Sequence, residues 1–342
     1  MDIFTAILGE NTEYIKEHFL SHEDDEKTIN TEINTPIIYA SRLNKLNIVK
    51  LLIELGADVN KCASHSASPL SIASHGGYLE IVKVLLQNGA DIEICNIYNE
   101  SPLNIASYYG NLETVKLLIE NGANINTCNY FQRTPLFNAS RTGCLEIVKV
   151  LVQHGADINK CNKYKTTPIS EAALHNNFEI VKLLIENGAD IHRCDNTQRT
   201  PLFLASEFGY TDIVKLLIEN GADIDKCDYA NTSPLLRASE YGRTDIVKIL
   251  LQNGADMYKY NKKFYTPLAI ASLNEYIDII KLLIQQEEKL RKSNVFYNKK
   301  ITCDTIDLYE ILIEKIGERT LVKNIINMKN EMEYYDKLKL DE

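Results

Sequence analysis

The prolines of this chain recur at one constant interval. All eight obey it, at positions 36, 69, 102, 135, 168, 201, 234 and 267. A period of roughly 20–50 residues is typical of stacked arrays, in which each unit buries its apolar face only against its neighbours. The length of 342 residues therefore predicts a number of repeats, not a set of separate domains.

Each proline stands at the expected start of a short helix. The residue before it is Ser or Thr in all eight units. Its hydroxyl can accept a backbone N–H, and proline suits the first helical position. The segment then ends at Gly or Asn in every unit except the last, where Glu275 takes that place. Gly and Asn tolerate the positive φ with which many helices end.

A second helix is predicted in each unit. Residues 112–120 carry apolar side chains on one helical stripe, and Gly122 follows two places later. A Gly-Ala pair recurs there with the period of the prolines, from Gly56 to Gly254. The remaining residues before the next proline are too few for more than an extended finger.

The combined motif resembles the ankyrin repeat, a family whose period of about 33 residues is also the interval between the prolines. It reads Thr-Pro-Leu-x-x-Ala-Ser and then Gly-x-x-Glu-Ile-Val-Lys-Leu-Leu-Ile-Glu-x-Gly-Ala-Asp-Ile-Asn, and it covers about residues 35–286. The resemblance implies an all-α solenoid of helix-turn-helix units with short β-hairpin-like fingers. It also implies about ten stacked units, including degenerate caps at both ends. The chain departs from the family at the His two places after the proline and at the turn glycine of the finger, where Asn99 and Gln132 are examples.

The regions that flank the repeats complete the predicted organisation. Residues 1–34 are expected to form an N-terminal capping repeat and an acidic loop, residues 35–286 eight repeats, and residues 287–342 a C-terminal helical cap. Apolar stripes at 304–316 and 318–340 predict helices in this last region. These helices either close the array or recruit a second protein.

The net charge of −10 is concentrated at the N-terminus. Residues 1–34 hold nine acidic and two basic side chains, whereas residues 35–286 hold 26 and 24. The loop 22–33 is either a solvated acidic loop or an acidic docking site. Nucleic acid is not an expected partner, because no region is strongly basic.

The sequence also bears on where the chain acts. No apolar run approaches the roughly 18 residues of a membrane span, and the N-terminus lacks the basic flank of a secretory signal. We therefore expect no membrane partner and a cytoplasmic location, in the host cytoplasm if the chain is viral. An AT-biased composition and near-identical units indicate a virus, an intracellular bacterium or a protist, as in ankyrin-repeat effectors of pathogens.

Cysteines and acid–lysine pairs follow the same period. Six cysteines recur at the interval of the prolines, in one slot of successive units. Packed helices are about 8–10 Å apart, which is more than the roughly 7 Å Cα separation that a disulfide allows. We therefore expect these cysteines not to form disulfides with one another. In seven of the eight units an acid stands three places before the Lys of the second helix, which is the spacing of neighbours on a helix surface and not a sign of catalytic pairing. No catalytic motif is present, so we expect no enzyme, no cofactor and no metal site.

Tyrosine is the residue that the repeat does not explain. Positions −5, −4, −2, +6 and +7 relative to each proline are expected to make few packing contacts within the array. These 40 positions hold eight of the nineteen tyrosines. Aromatic and Arg side chains dominate many protein interfaces. The predicted partner-binding residues are Tyr98, Tyr108, Tyr109, Tyr130, Phe131, Arg133, Arg141, Tyr164, Arg199, Phe208, Tyr229 and Tyr241.

Several functions fit this sequence. The first is a monomeric, non-catalytic module that binds a partner protein on the concave face formed by fingers and first helices. An alternative is a substrate-receptor adaptor whose C-terminal helices recruit a ubiquitin-ligase component. A third, an enzyme or a binder of small ligands, would need a closed pocket with convergent polar groups. AT-biased coding alone, which scatters tyrosine over exposed positions, is the competing explanation for the tyrosines.

Overall fold

The computed structural model describes residues 2–20, 36–63 and 67–292. The chain divides into two compact units, Met1–Asn196 and Thr197–Glu342. All regular elements in the described ranges are α-helices, which confirms the predicted all-α class.

The helices of the first unit are α1 (Ile3–Leu8), α2 (Thr12–Leu20), α3 (Pro36–Arg42), α4 (Leu46–Glu54), α5 (Pro69–Gly76), α6 (Leu79–Gln87), α7 (Pro102–Tyr109), α8 (Leu112–Glu120), α9 (Pro135–Thr142), α10 (Leu145–Gln153), α11 (Pro168–Leu174) and α12 (Phe178–Glu186). Those of the second unit are α13 (Pro201–Phe208), α14 (Thr211–Glu219), α15 (Pro234–Glu240), α16 (Thr244–Gln252), α17 (Pro267–Leu273) and α18 (Ile277–Lys292).

Each unit is a stack of helix pairs. The first helix of a repeat packs against the first helix of the next, as α7 does on α9 and α13 does on α15. The alanine four places after each proline is fully buried, as at Ala106 and Ala205. Its small side chain lets neighbouring first helices approach closely. Burial of the apolar stripes, at about 1.5–3 kcal/mol for each large side chain, is the main stabilising term.

The first helices begin as the sequence predicts. The hydroxyl of Thr134 accepts a hydrogen bond from the backbone N–H of Phe137 at 3.1 Å. The same N-cap occurs at Ser68, Ser101, Thr167, Thr200, Ser233 and Thr266. Thr35, the predicted cap of the first repeat, lies outside the described residues.

The first helices also end as predicted, with a left-handed residue. Gly110 has φ +80°, and Asn176 has φ +58°. Glu275, which departs from the Gly or Asn pattern, has φ +59°. The turn is therefore kept where the favoured residue is missing, because packing of the following helix determines the backbone path.

Asparagines connect one repeat to the next. The side chain of Asn111 donates to the carbonyl oxygens of Ser74 and His75 at 2.7 and 2.9 Å. In the loops after the second helices, Asn126 Oδ1 accepts from the N–H of Asp157 at 2.8 Å, one repeat further along the chain. The Asn111 bonds satisfy carbonyl groups that the end of α5 leaves free, and the Asn126 bond joins the loops of two consecutive repeats.

The fingers are turns, and no β-strand occurs in the described ranges. Asn129 N–H donates to the carbonyl of Arg133 at 3.2 Å, and the Asn129 side chain accepts from the N–H groups of Phe131 and Arg133. Consecutive fingers are joined in turn, since Tyr130 N–H donates to the carbonyl of Tyr98 at 3.0 Å. The backbone of this finger is therefore held by its own Asn and by the neighbouring finger, and Asp228 takes the place of the Asn in the finger of residues 229–232.

Part of the predicted organisation falls outside the described residues. This applies to the acidic loop 22–33 and to the C-terminal segments 304–316 and 318–340. The division at residues 34 and 286 stays a prediction. Helix α18 continues through the second of these positions to Lys292.

Candidate binding surface

Three finger tips of the first unit present tyrosine rings. Tyr98, Tyr130 and Tyr164 lie on consecutive fingers, and Tyr130 is the most exposed of them at 68%. The fingers are held in register because Lys163 N–H donates to the carbonyl of Phe131 at 3.0 Å, just as the preceding pair is joined. The rings thus stand on an ordered backbone.

Two further tyrosines lie at the end of α7. Tyr108 and Tyr109 are exposed, and their ring centroids are 5.1 Å apart in an edge-to-face arrangement. The Tyr109 ring also lies 4.0 Å from that of His75, which belongs to the preceding repeat. These contacts restrict the Tyr109 side chain before any partner binds.

Phe131 is half-buried and carries two cations. The ammonium of Lys163 lies 4.1 Å from its ring centroid, and the guanidinium carbon of Arg133 lies 5.2 Å away. Arg133 also faces the buried ring of Phe137 at 5.7 Å. Contacts of this kind contribute about 0.5–1 kcal/mol at exposed sites and more when they are desolvated.

Arg141 forms an ion pair with a buried carboxylate of the next repeat. Its Nε lies 3.5 Å from Oε1 of Glu171, a residue that is only 7% exposed. His175 Nδ1 lies 3.9 Å from the same oxygen. Glu171 is not among the predicted residues, because a charge in a helix gives no sequence signal of what covers it.

The structure thus brings eight of the predicted residues into one unit, on adjacent fingers and first helices. We call this group the tyrosine face; it consists of Tyr98, Tyr108, Tyr109, Tyr130, Phe131, Arg133, Arg141 and Tyr164. The prediction missed Lys163. It occupies position −5, one of the variable slots, and only the selection of aromatic and Arg residues left it out.

The other four predicted residues lie in the second unit. Phe208, Tyr229 and Tyr241 are exposed, whereas Arg199 is half-buried. The guanidinium of Arg199 lies 3.9 Å from Oε2 of Glu207. Phe208 stacks on Tyr210 with ring centroids 5.9 Å apart.

A charge network that the sequence did not reveal centres on Arg237. Its guanidinium lies 2.8 Å from Glu240 and 3.2 Å from Asp228, and it faces the rings of Phe203 and Tyr241. The positive charge of Arg237, which lies against the Tyr241 ring, is therefore already neutralised by carboxylates of the second unit.

The periodic cysteines are half-buried free thiols. The sulfur of Cys95 lies 3.3 Å from the carbonyl oxygen of Glu93, and Cys62 and Cys227 make the same local contact. Burial raises the pKa of all three thiols. In the described part of the chain, no cluster of His, Cys, Asp and Glu could hold a metal ion. No helix there is long and apolar enough to cross a membrane.

Comparison with known proteins agrees with this architecture. A family model described as ankyrin repeats (3 copies) matches residues 3–96, 70–162, 158–228 and 225–294. The structure is similar to the crystal structure of the human ASB11 ankyrin repeat domain. The identity is 29% and the TM-score 0.59, with 64% of this chain and 97% of that chain covered. No curated protein sequence matches. Ankyrin repeats are generally protein-interaction modules. Because these matches together run from residue 3 to residue 294, this chain belongs to the ankyrin-repeat family.

Proposed function

We propose that this protein binds a partner protein, without catalysis, through the tyrosine face of its first unit. The observation that carries the proposal is the exposure of Tyr98, Tyr108, Tyr109, Tyr130 and Tyr164 on adjacent fingers and one helix end. The backbone hydrogen bonds of these turns come from Asn side chains and neighbouring fingers. The backbone conformation of these turns therefore does not depend on the tyrosine rings.

The surface suits tight binding for a physical reason. Tyrosine has few rotatable bonds, and contacts such as those between Tyr109 and His75 already restrict the ring. Binding then costs less side-chain entropy, which is about 0.5–1.5 kcal/mol for each side chain that must be immobilised. A few such residues commonly contribute about 2 kcal/mol or more each.

The test is a double substitution. Affinity purification from the native cell type with mass spectrometry identifies the partner, and calorimetry measures its affinity for the Tyr109→Ala, Phe131→Ala variant. We expect binding at least about tenfold weaker, a loss of about 1.4 kcal/mol, with a nearly unchanged Tm.

The control is Tyr260→Ala, which removes an exposed ring outside the predicted set. It should leave the affinity unchanged. Equal affinity of the double variant and the original chain would contradict the proposal.

We propose a secondary contribution from Phe208, Tyr229 and Tyr241 of the second unit. Their exposure supports it. Arg199 is expected to contribute less than Arg133, because Glu207 lies beside its guanidinium.

The adaptor alternative depends on residues 304–340 and rests on their sequence alone. A chain that ends at residue 300 separates the two roles. If it folds, keeps the target and loses a second partner in a pulldown, the C-terminal segment is a recruiting element. If it loses stability instead, the segment is a cap.

A further inference from the structure

The tyrosine face has an unbalanced charge. Its three finger tips, residues 97–100, 130–133 and 163–166, hold the cations Arg133, Lys163 and Lys165 and one acid, Glu100. Glu100 is already occupied, since its carboxylate oxygens accept hydrogen bonds from the side-chain amides of Asn96 at 3.0 Å and Asn129 at 3.3 Å. The charge that this surface offers to a partner is therefore positive.

None of the three cations forms an ion pair with a carboxylate of the described residues. Arg133 and Lys163 both lie against Phe131. The charges of these two side chains are therefore available to a partner.

The second unit shows that the fold can neutralise this position from within. Arg199 occupies the same slot as Arg133, two residues before the proline, and Glu207 lies 3.9 Å from its guanidinium. Glu207 stands six residues after that proline. In the repeat of Arg133 this slot holds Arg141, a second cation, whose own partner is Glu171 of the next repeat.

We infer that the tyrosine face binds an acidic peptide segment of its partner. Carboxylates of the segment meet Arg133 and Lys163, while its apolar atoms pack on Tyr98, Tyr130 and Tyr164. Charge-assisted hydrogen bonds to Arg are geometrically specific. Phe131 holds the two cations in place, so that little ordering is needed on binding. This inference rests on the proposed function and adds the chemistry of the partner.

Nucleic acid is the other ligand that combines negative charge with aromatic stacking. It is disfavoured because no region of the chain is strongly basic, and a polyanion gains affinity mainly from extended positive surface. Three uncompensated cations on two adjacent finger tips suit a short acidic segment better than a long phosphate backbone.

The experiment uses the full chain and a random peptide library displayed on phage. We expect the enriched peptides to be rich in Asp and Glu. A synthetic peptide of the enriched sequence should bind at least about tenfold more tightly, by fluorescence anisotropy, than its analogue with Asn and Gln in place of the acids. Its affinity should fall as salt increases.

Matched variants assign the effect to the two cations. Arg133→Gln and Lys163→Gln should each weaken the acidic peptide at least about fivefold, whereas Arg199→Gln should leave it unchanged. Lys163 is exposed, so its substitution keeps the test valid if Arg133→Gln lowers stability.

The possible failures are distinguishable. Neutral or basic peptides that lose binding in the Tyr109→Ala, Phe131→Ala variant would overturn the inference and leave the proposed function standing. Tighter, competing binding of a labelled single-stranded oligonucleotide would also overturn it. If no selected peptide depends on Tyr109 and Phe131, the proposed function fails, and the inference fails with it.

Discussion

At the scale of single residues, the finger tips show how a repeat tolerates a missing glycine. The tip residues that replace it, which are Asn99, Gln132, Lys165, Gln198, Asn231 and Phe264, have left-handed φ angles between +57° and +65°. Asn is well suited, because Asn99 Nδ2 also donates to the carbonyl of Cys128 at 2.8 Å, in the next finger. Asn231 makes the equivalent bond to the carbonyl of Tyr260 at 2.6 Å. Gln132 carries the strain without a bond of this kind to any described residue.

The strain predicts a stabilising substitution. Gln132→Gly should raise the free energy of unfolding by roughly 0.5–1 kcal/mol. The reason is that the backbone strain of a non-glycine residue at positive φ is larger than the free-energy cost of the entropy that glycine adds to the unfolded chain. Asn99→Gly is the control, with a smaller gain or a loss, since it removes a hydrogen bond. Urea unfolding measures both, and destabilisation by Gln132→Gly would disprove the argument.

The periodic thiols predict low reactivity. A raised pKa means that less thiolate exists at any pH below it, so Cys62, Cys95 and Cys227 should react with iodoacetamide at about pH 8 more slowly in the folded chain than in denaturant. The difference should shrink as the pH rises through the raised values. Peptide mass spectrometry after timed labelling gives the rates. Equal folded and unfolded rates would be inconsistent with this account.

At the scale of elements, two kinds of left-handed glycine have different surroundings. Gly143 ends a first helix with φ +78°, and a Cβ there would lie 2.9 Å from Oδ1 of Asn177 in the next repeat. Gly155 follows a second helix with φ +84°, and a Cβ there would have nothing within 4 Å. The two positions share backbone strain and differ in the contact between repeats.

This difference can be measured with a matched pair of variants. Gly155→Ala should cost about 1 kcal/mol from backbone strain alone. Gly143→Ala should cost about 1 kcal/mol more, because it displaces the Asn177 side chain, whose amide donates to the Ser140 carbonyl at 2.8 Å. Chemical unfolding of both variants checks the order, and equal costs would show that the Asn177 contact is dispensable.

At the scale of the whole molecule, stability is a sum over neighbouring repeats. Leu136 is fully buried in α9, so Leu136→Ala should cost about 2–5 kcal/mol. Hydrogen exchange should then rise in α7 to α11 and change little in α1 and α2. Leu235→Ala, at the same slot of the second unit, should raise exchange in α13 to α17. A uniform rise across the chain in either variant would contradict this local model.

Much of the fold could be read from the period. Thr134 and Pro135 predicted a helix start, and Gly143 predicted its end, because capping depends on residues close in sequence. The exposed tyrosines were found for a related reason, since the period separates packing slots from variable ones. Two charged residues near these tyrosines escape the prediction. Lys163 is neither aromatic nor Arg, and the sequence gives no signal that Glu171 is buried beside Arg141.

The sequence by itself determined the repeat, its helix boundaries and the slots from which a binding surface can be built, because these follow from local backbone preferences that recur in every unit. Only the tertiary structure decided which charges remain uncompensated. Arg133 and Arg199 occupy the same slot of their repeats. Arg199 lies beside the carboxylate of Glu207, whereas Arg133 lies against the ring of Phe131. Ion pairing depends on distances of a few ångströms between side chains from different segments, and no periodicity encodes those distances.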